Sequence, residues 1–318
     1  MTLISQNIDE AKKRLEGGEL VAIPTETVYG MAANAFDEQA VKRIFAVKNR
    51  PFYDPLILHT SSLEKIASWQ LVIPQPLNVL AEKYWPGPLT LLLPKTKFIS
   101  DFVTAQLPRV AIRIPNHPMA LALLEKLNFP LAAPSANPFG YVSPTTAQHV
   151  KQHFEGKINM ILDGGDCDVG IESTIVGMED KEVVVYRLGG LSLEKIETLV
   201  GPVKVKASSS KPDAPGMLIR HYSPGKEVIA IDSQEELNAI SIKQTAFILY
   251  DLEKPEVHQE NLIHLSRNAS DEEAARNFYR ALQHWEGRSD IRRIVIQRLP
   301  DFGLGRAIND RLKRAIGK

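Results

Sequence analysis

Residues 24–59 read PTETVYGMAANAFDEQAVKRIFAVKNRPFYDPLILH. Asp37 can cap a helix in which Val41, Ile44 and Phe45 fall at the i, i+3, i+4 spacing of a core-facing stripe. Lys48, seven residues after Val41, continues that stripe at the C-terminal end, so its ammonium is aimed along the core face. Arg50 follows, biased toward an extended conformation by Pro51. Two cations here can simply complement the helix dipole and its last carbonyls. Their neighbours offer a second reading. Thr25 and Thr27 leave the apolar run Leu20 to Ile23, and the run Leu56 to Leu58 ends at His59. Hydroxyls, cations and an imidazole at the ends of strands make an anion pocket.

Outward from this stretch, strands and helices alternate, which is an α/β pattern. A helix beginning near Pro76 closes at Trp85-Pro86-Gly87-Pro88 and leads into the apolar run Leu89 to Leu93. In VAIRIP, Val110, Ile112 and Ile114 share one face of a strand and Arg113 takes the other. An arginine there needs an acidic neighbour or an anionic ligand, because a buried unpaired charge is costly. A helix from Asn116 and Pro118 runs to near Asn128, and Leu131 to Ala133 then enters PSANPFG, where Ser135 and Asn137 permit close approach to a ligand. Ser143-Pro144-Thr145 is expected to open another helix, whose first amides could receive a phosphate.

The strand Asn159 to Leu162 precedes a loop, DGGDCDVGIES, whose acidic residues do not have the offsets of a calcium-binding loop. Cys167 stands between two aspartates, which raises a thiol pKa and marks it as inert. Ser173 and Thr174 begin a strand, Val183 to Tyr186 forms the next, and Arg187 leaves its end.

A length of 318 residues suits two domains, and equal counts of 38 basic and 38 acidic residues give no global field for nucleic acid or membrane. One cysteine, no signal-like start and no long apolar run imply a cytoplasmic protein that does not span a membrane. The expected division is a large domain at 1–203, a linker at 204–227 and a small α/β domain at 228–318. SSSKPD reads as a solvated spacer, whereas Met217, Leu218, Ile219 and Tyr222 imply that the rest of the linker docks. In the small domain Val228 to Ile231, Ala246 to Tyr250 and Ile291 to Gln297 read as strands, and Ser233/Glu236 and Ser270/Glu273 as capping boxes. From Arg288 onward nine Lys or Arg face three Asp, read as a solvated basic face or an RNA or partner contact.

No phosphate-binding GxxxxGK[ST], no strand-linked GxGxxG, no paired cysteines and no HExxH occurs, and Ser135 and Ser173 lack a nucleophile elbow. What remains is a site that holds anions and positions reactants. PTETVYG, KNRP with PLILH, WPGPLT, VAIRIP, APSANPFGYVSPT, DGGDCDVGIESTIV, YRLGG and APGMLIRHYSP occur in that order. Together they resemble the threonylcarbamoyl-AMP synthase, or YrdC-like, family, and GLGRAINDRLKRA extends the likeness to its two-domain members.

The resemblance implies a large twisted mixed-sheet domain and a smaller Rossmann-like domain joined by a docking linker. It implies synthesis of threonylcarbamoyl-AMP and pyrophosphate from L-threonine, bicarbonate or carbon dioxide, and ATP with Mg²⁺. The product would pass to a separate threonylcarbamoyl-transferase complex that modifies tRNA beside the anticodon. Matching positions would place L-threonine against Thr27, His59, Arg113, Ala133 and Ser173. ATP would lie against Lys48, Arg50, Ser135, Asn137, Ser143, Arg187, His221 and Tyr222, with Lys48 and Arg50 as the catalytic cations, Thr25 as a weaker candidate and residues 214–224 as a lid. No protein side chain is assigned to the metal. Two positions depart from the family pattern: GMAANAF replaces a GLGADA-like run, and Asp54 stands where asparagine is common, which bears on nucleotide affinity. Two other activities fit the same residues, RNA binding in a basic concavity and carbamoyl transfer from carbamoyl phosphate.

Overall fold

The computed structural model describes residues 1–206, 213–217 and 222–316. Most of the SSSKPD spacer, together with Leu218, Ile219 and His221, lies outside the described residues.

The stretch 24–59 supplies the second strand of a hairpin, a helix and a third strand. Val21–Ile23 pairs antiparallel with Gly30–Asn34, a strand that the sequence reading did not separate from the loop before the helix. The helix is Glu38–Lys48, capped by the Asp37 carboxylate, which accepts from the Gln39 and Ala40 amides, and stopped by Asn49 in the left-handed region at φ 52°. Ala40, Val41, Ile44, Phe45 and Lys48 are its buried residues, so the stripe extends to the lysine as expected. The return strand is Ile57–His59.

These strands belong to an 11-stranded mixed sheet. Its order is Leu3–Ser5, Met160–Leu162, Val21–Ile23, Gly30–Asn34, Leu131–Ala132, Ile57–His59, Arg109–Arg113, Leu89–Pro94, Thr174–Glu179, Glu182–Arg187 and Lys204–Val205. Parallel and antiparallel neighbours alternate irregularly along it: Ile57–His59 runs parallel to Arg109–Arg113, which is antiparallel to Leu89–Pro94. One face carries the main core, with Ile44, Phe45, Leu58, Leu91 and Ile112, and a second cluster with Leu15, Ile23, Leu124 and Leu162 packs on the other. Both faces being covered explains the short, nearly uniformly apolar strands. The helices Leu63–Ser68 and Asp101–Thr104 were not anticipated, being only 6 and 4 residues long and too short to show a period.

The second sheet is 4-stranded and all parallel, in the order Glu227–Ile231, Arg293–Gln297, Thr245–Leu249 and Leu262–His264. Ser233 and Ser270 cap the helices Gln234–Ala239 and Asp271–Glu286 as their boxes predicted, and Gly305–Ile316 is the last helix. Beyond the strand ends, Gln297 Oε1 accepts from the backbone amides of Tyr250, Asp251 and Leu252 at 2.8, 3.0 and 3.0 Å.

The small domain packs on the loop 163–173. Gly170, at φ +79°, lies so close to the helix Asp271–Glu286 that a Cβ there would come within 2.5 Å of the Arg276 Cα. Arg276 Nε donates to the Asp168 carbonyl at 2.8 Å, and Arg280 pairs with Asp166 at 2.8 Å. The acidic loop thus serves as a docking seat, and among the described residues no group of three or more His, Cys, Asp or Glu could hold a metal ion. No helix among the described residues is long and apolar enough to cross a membrane.

Arg292, Arg298 and Lys313 of the basic C-terminal segment are exposed, as its charge suggested, but two of its arginines are not. Arg311 and Arg314 are 0% and 5% exposed. Both guanidinium groups lie over the Tyr222 ring, at 5.5 and 4.8 Å from its centre. The amphipathic helix turns these two arginines inward, toward acidic and aromatic partners.

Candidate functional site

A cavity opens where the strands of the large sheet end beneath the linker. Thr27, His59, Arg113, Ala133, Ser135, Ser173, Arg50, Arg187 and Tyr222 all line it, as do Thr25 and Glu172. Residues from Thr25 to Tyr222 meet here because Ile57–His59, Arg109–Arg113 and Leu131–Ala132 are adjacent in the sheet.

The Thr25 hydroxyl folds the loop after Val21–Ile23, donating to the Val28 carbonyl at 2.6 Å and accepting from the Thr27 and Val28 amides at 3.2 Å. That fixes Thr27, whose Oγ1 accepts from Arg113 Nη1 at 2.7 Å. Arg113 Nε donates to the Gly87 carbonyl at 3.1 Å. Its Nη2 lies 2.7 Å from Glu26 Oε1, an ion pair whose angles fall outside hydrogen-bond geometry. Both readings of Arg113 therefore hold at once: it has an acidic neighbour and it faces the cavity. The neutral form of His59 is strongly favoured, because burial and then the Arg113 charge bring its pKa down to about 3.

Arg50 donates from Nε to the Asp54 carbonyl at 3.1 Å and from Nη2 to the Pro55 carbonyl at 2.7 Å, and pairs with the Asp54 carboxylate at 2.9 Å. Burial pushes Arg50's pKa down and Asp54's up, the second opposed by Arg50 itself. Asp54, the departure from the family pattern, is fully buried against this cation.

Lys48 lies along the core face, as its place on the stripe implied, and meets carbonyls there. Its Nζ donates to the carbonyls of Ser135, at 2.5 Å, and Asn137, and the side chain is 1% exposed. Burial, then the charge of Arg50, pushes its pKa well down. It sits behind the wall that Ser135 presents. Asn137 is turned the same way, donating to the Pro138 and Tyr141 carbonyls at 2.8 and 2.9 Å. Ser143 does not open a helix: Thr146 caps Ala147–Phe154, and Ser143 Oγ donates to Glu172 at 2.6 Å.

The opposite wall is Glu172, Ser173 and Arg187. Arg187 donates from Nε and Nη2 to the Ser173 carbonyl at 3.1 and 2.8 Å and from Nη2 to Ser173 Oγ at 3.2 Å. Ser173 Oγ is 2.7 Å from Thr90 Oγ1. The linker covers this wall: Pro215 accepts from Arg187 Nη1 at 3.4 Å, and Ala214 and Met217 are buried with Ile57, Ala111 and Tyr186. Tyr222 is 1% exposed and stacks on Tyr279 of the small domain with ring centres 5.8 Å apart. Cys167 is buried, and burial followed by the Glu26 charge pushes its thiol pKa up, as an inert thiol requires.

Sequence reasoning missed Glu26, Glu172, Tyr279 and Arg311. Glu26 stood inside PTETVYG, and the need of Arg113 for an acidic neighbour was the available signal. Nothing in the one-dimensional pattern joined Tyr279 or Arg311 to a residue more than a hundred positions earlier.

The site holds three guanidinium groups, hydroxyls and a neutral imidazole. Such a set binds carboxylate and phosphate and supplies no obvious covalent nucleophile. A Sua5/YciO/YrdC family model, described as telomere recombination, matches residues 13–189, and a model of the C-terminal domain of threonylcarbamoyl-AMP synthase matches residues 191–317. The threonylcarbamoyl-AMP synthase of Pyrococcus abyssi is 40% identical over 99% of this chain and 96% of its own length. That of Bacillus subtilis is 38% identical over 98% and 93%. The crystal structure of Pyrococcus abyssi Sua5 complexed with L-threonine aligns with a TM-score of 0.90 at 37% identity, covering 100% of this chain and 97% of that one. With family models spanning both halves of the sequence and full-length relatives this similar, the chain belongs to the Sua5/YciO/YrdC family, among its two-domain threonylcarbamoyl-AMP synthases.

Proposed function

We propose that this chain is an L-threonylcarbamoyladenylate synthase, with residues 1–203 as its catalytic domain, 204–227 as lid and 228–318 as the small domain. The observation that carries the reading is the convergence of Arg50, Arg113 and Arg187 with Thr27, His59 and Ser173 around one cavity. The threonine complex of the Pyrococcus abyssi relative supports it.

L-Threonine lies against Thr27, His59, Arg113, Ser173 and the backbone near Ala133, its carboxylate toward the Arg113 fork. ATP lies against Arg50, Ser135, Arg187 and the linker at Tyr222. Lys48, Asn137 and Ser143 act by holding the wall those groups stand on. The threonine amine and bicarbonate give a carbamate with loss of water. A carbamate oxygen then attacks the α-phosphorus of ATP, and the bond to pyrophosphate breaks. The fixed cations offset the repulsion between carbamate and triphosphate. Neutral His59 neither adds charge nor removes a proton from Arg113. Magnesium accompanies ATP as part of the substrate. The linker excludes water from a mixed anhydride that water would hydrolyse. In the cytoplasm the product passes to a threonylcarbamoyl-transferase complex that acts on tRNA.

The test is pyrophosphate release from ATP with magnesium and bicarbonate, with and without L-threonine and with serine as control. Release that rises at least tenfold with threonine is expected. Release indifferent to threonine removes the assignment.

A further inference from the structure

Glu172 is a buried carboxylate on the cavity wall whose partners come from two domains. Ser143 Oγ donates to it at 2.6 Å from the large domain, and Tyr279 Oη and Arg311 Nε approach it at 2.9 and 3.2 Å from the small one. Its backbone is equally fixed: the Gly190 amide donates to the Glu172 carbonyl at 2.8 Å, and a Cβ on Gly189 would come within 2.3 Å of that oxygen. The next residue, Ser173, carries both oxygens that Arg187 Nη2 holds. Glu172 lines the same cavity as Arg187, which holds the adjacent Ser173, and the Arg187 charge also acts on the Glu172 carboxylate.

We propose that Arg311 of the small domain is a positioning residue for the reaction: by engaging the Glu172 carboxylate it keeps that anion off Arg187 and leaves the Arg187 guanidinium to the nucleotide. This rests on the synthase reading above. Arg311 touches no reacting atom. Its charge is retained in a fully buried position because Glu172 and Asp310 flank it, at 3.2 and 3.3 Å. Burial by itself would raise the pKa of Glu172, yet Arg311, Arg187 and the Ser143 hydroxyl outweigh burial and hold it at about 2. These partners favour the anionic form of Glu172. Without Arg311 the cavity-lining cation whose charge still acts on Glu172 is Arg187, and a guanidinium fork occupied by a carboxylate is not offered to phosphate. The small domain thus completes the electrostatics of a cavity built almost wholly by the large one.

The experiment compares full-length wild type, R311M, E172Q and the double variant E172Q/R311M, measuring ATP and L-threonine binding by calorimetry and KM and kcat for threonine-dependent pyrophosphate release. R311M is expected to weaken ATP at least tenfold and L-threonine less than threefold, and E172Q in that background is expected to recover ATP to within about threefold of wild type. A folded R311M that binds ATP as wild type does overturns the inference. So does a loss in R311M that E172Q leaves unrelieved, since the arginine would then be structural only. Should R311M not fold, Tyr279→Phe removes a single hydroxyl from Glu172 and is expected to weaken ATP about threefold, and no change there is equally decisive against it. Failure of the synthase reading looks different: wild type itself then shows no threonine-dependent release.

Discussion

The Arg113 guanidinium and the Glu26 carboxylate stand 2.7 Å apart, both closed to solvent, so the cation that faces the cavity already has a counter-charge. Removing either partner leaves the other buried and alone. Arg113→Ala is expected to lower stability by about 3–5 kcal/mol, and adding Glu26→Gln to recover a large part of it. L-Threonine affinity should fall far more than ATP affinity in the single variant. Denaturant melts and calorimetric titrations check both parts. Equal losses for the two ligands would remove Arg113 from the threonine side of the cavity.

Lys48→Ala is expected to lose turnover and also to cost about 2–4 kcal/mol, because the carbonyls of Ser135 and Asn137 lose their donor inside the protein. A variant as stable as wild type would show that these carbonyls find other donors. Urea titration followed by circular dichroism is sufficient.

Gly170→Ala is expected to destabilise the domain contact by about 2 kcal/mol or more, since the residue has positive φ and its new methyl group would meet backbone of the helix Asp271–Glu286. Loss of protection should appear in hydrogen exchange on both sides of the contact, at 163–173 and 271–286. Unchanged exchange would mean that the two domains are not held at Gly170.

Acid should weaken the fold through its buried imidazoles. Burial, then Arg113, depresses His59 to about 3, and burial, then Arg280, depresses His149 to about 4, both from an ordinary value near 6.5. Between those limits the unfolded chain binds the protons and the folded one does not, so stability falls as pH falls from about 6.5 toward 4. Each histidine contributes a slope of about 1.4 kcal/mol per pH unit where it is charged only in the unfolded state. Stability curves at pH 7.5, 6, 5 and 4.5 for wild type and His149→Gln measure it. An identical slope in the variant would mean that His149 titrates normally.

The sequence carried the parts of the fold that have a local cause. Asp37, Ser233 and Ser270 cap the helices their spacing implied, and the stripe from Val41 to Lys48 is buried along its length. Much of the cavity was also legible, because Thr27, His59, Arg113, Ser173 and Arg187 sit next to strand ends that recognisable motifs flank. What was hidden depends on which strands become neighbours and where charges find partners. Lys48 could be placed on the core face, but whether carbonyls or a ligand would meet it there required the path of 134–138. The charge excess after Arg288 suggested solvent, since nothing near it in sequence told that Glu172 and Tyr222 would wait beside Arg311 and Arg314.

The amide of Gln297 has a consequence for stoichiometry. In parallel α/β sheets a phosphate is usually received beyond the C-terminal strand ends, by backbone amides such as those of Tyr250, Asp251 and Leu252. Here one side-chain oxygen takes all three. The strand-end amides of the small domain are thus satisfied from within, so a titration of the full chain should saturate at one ATP rather than two.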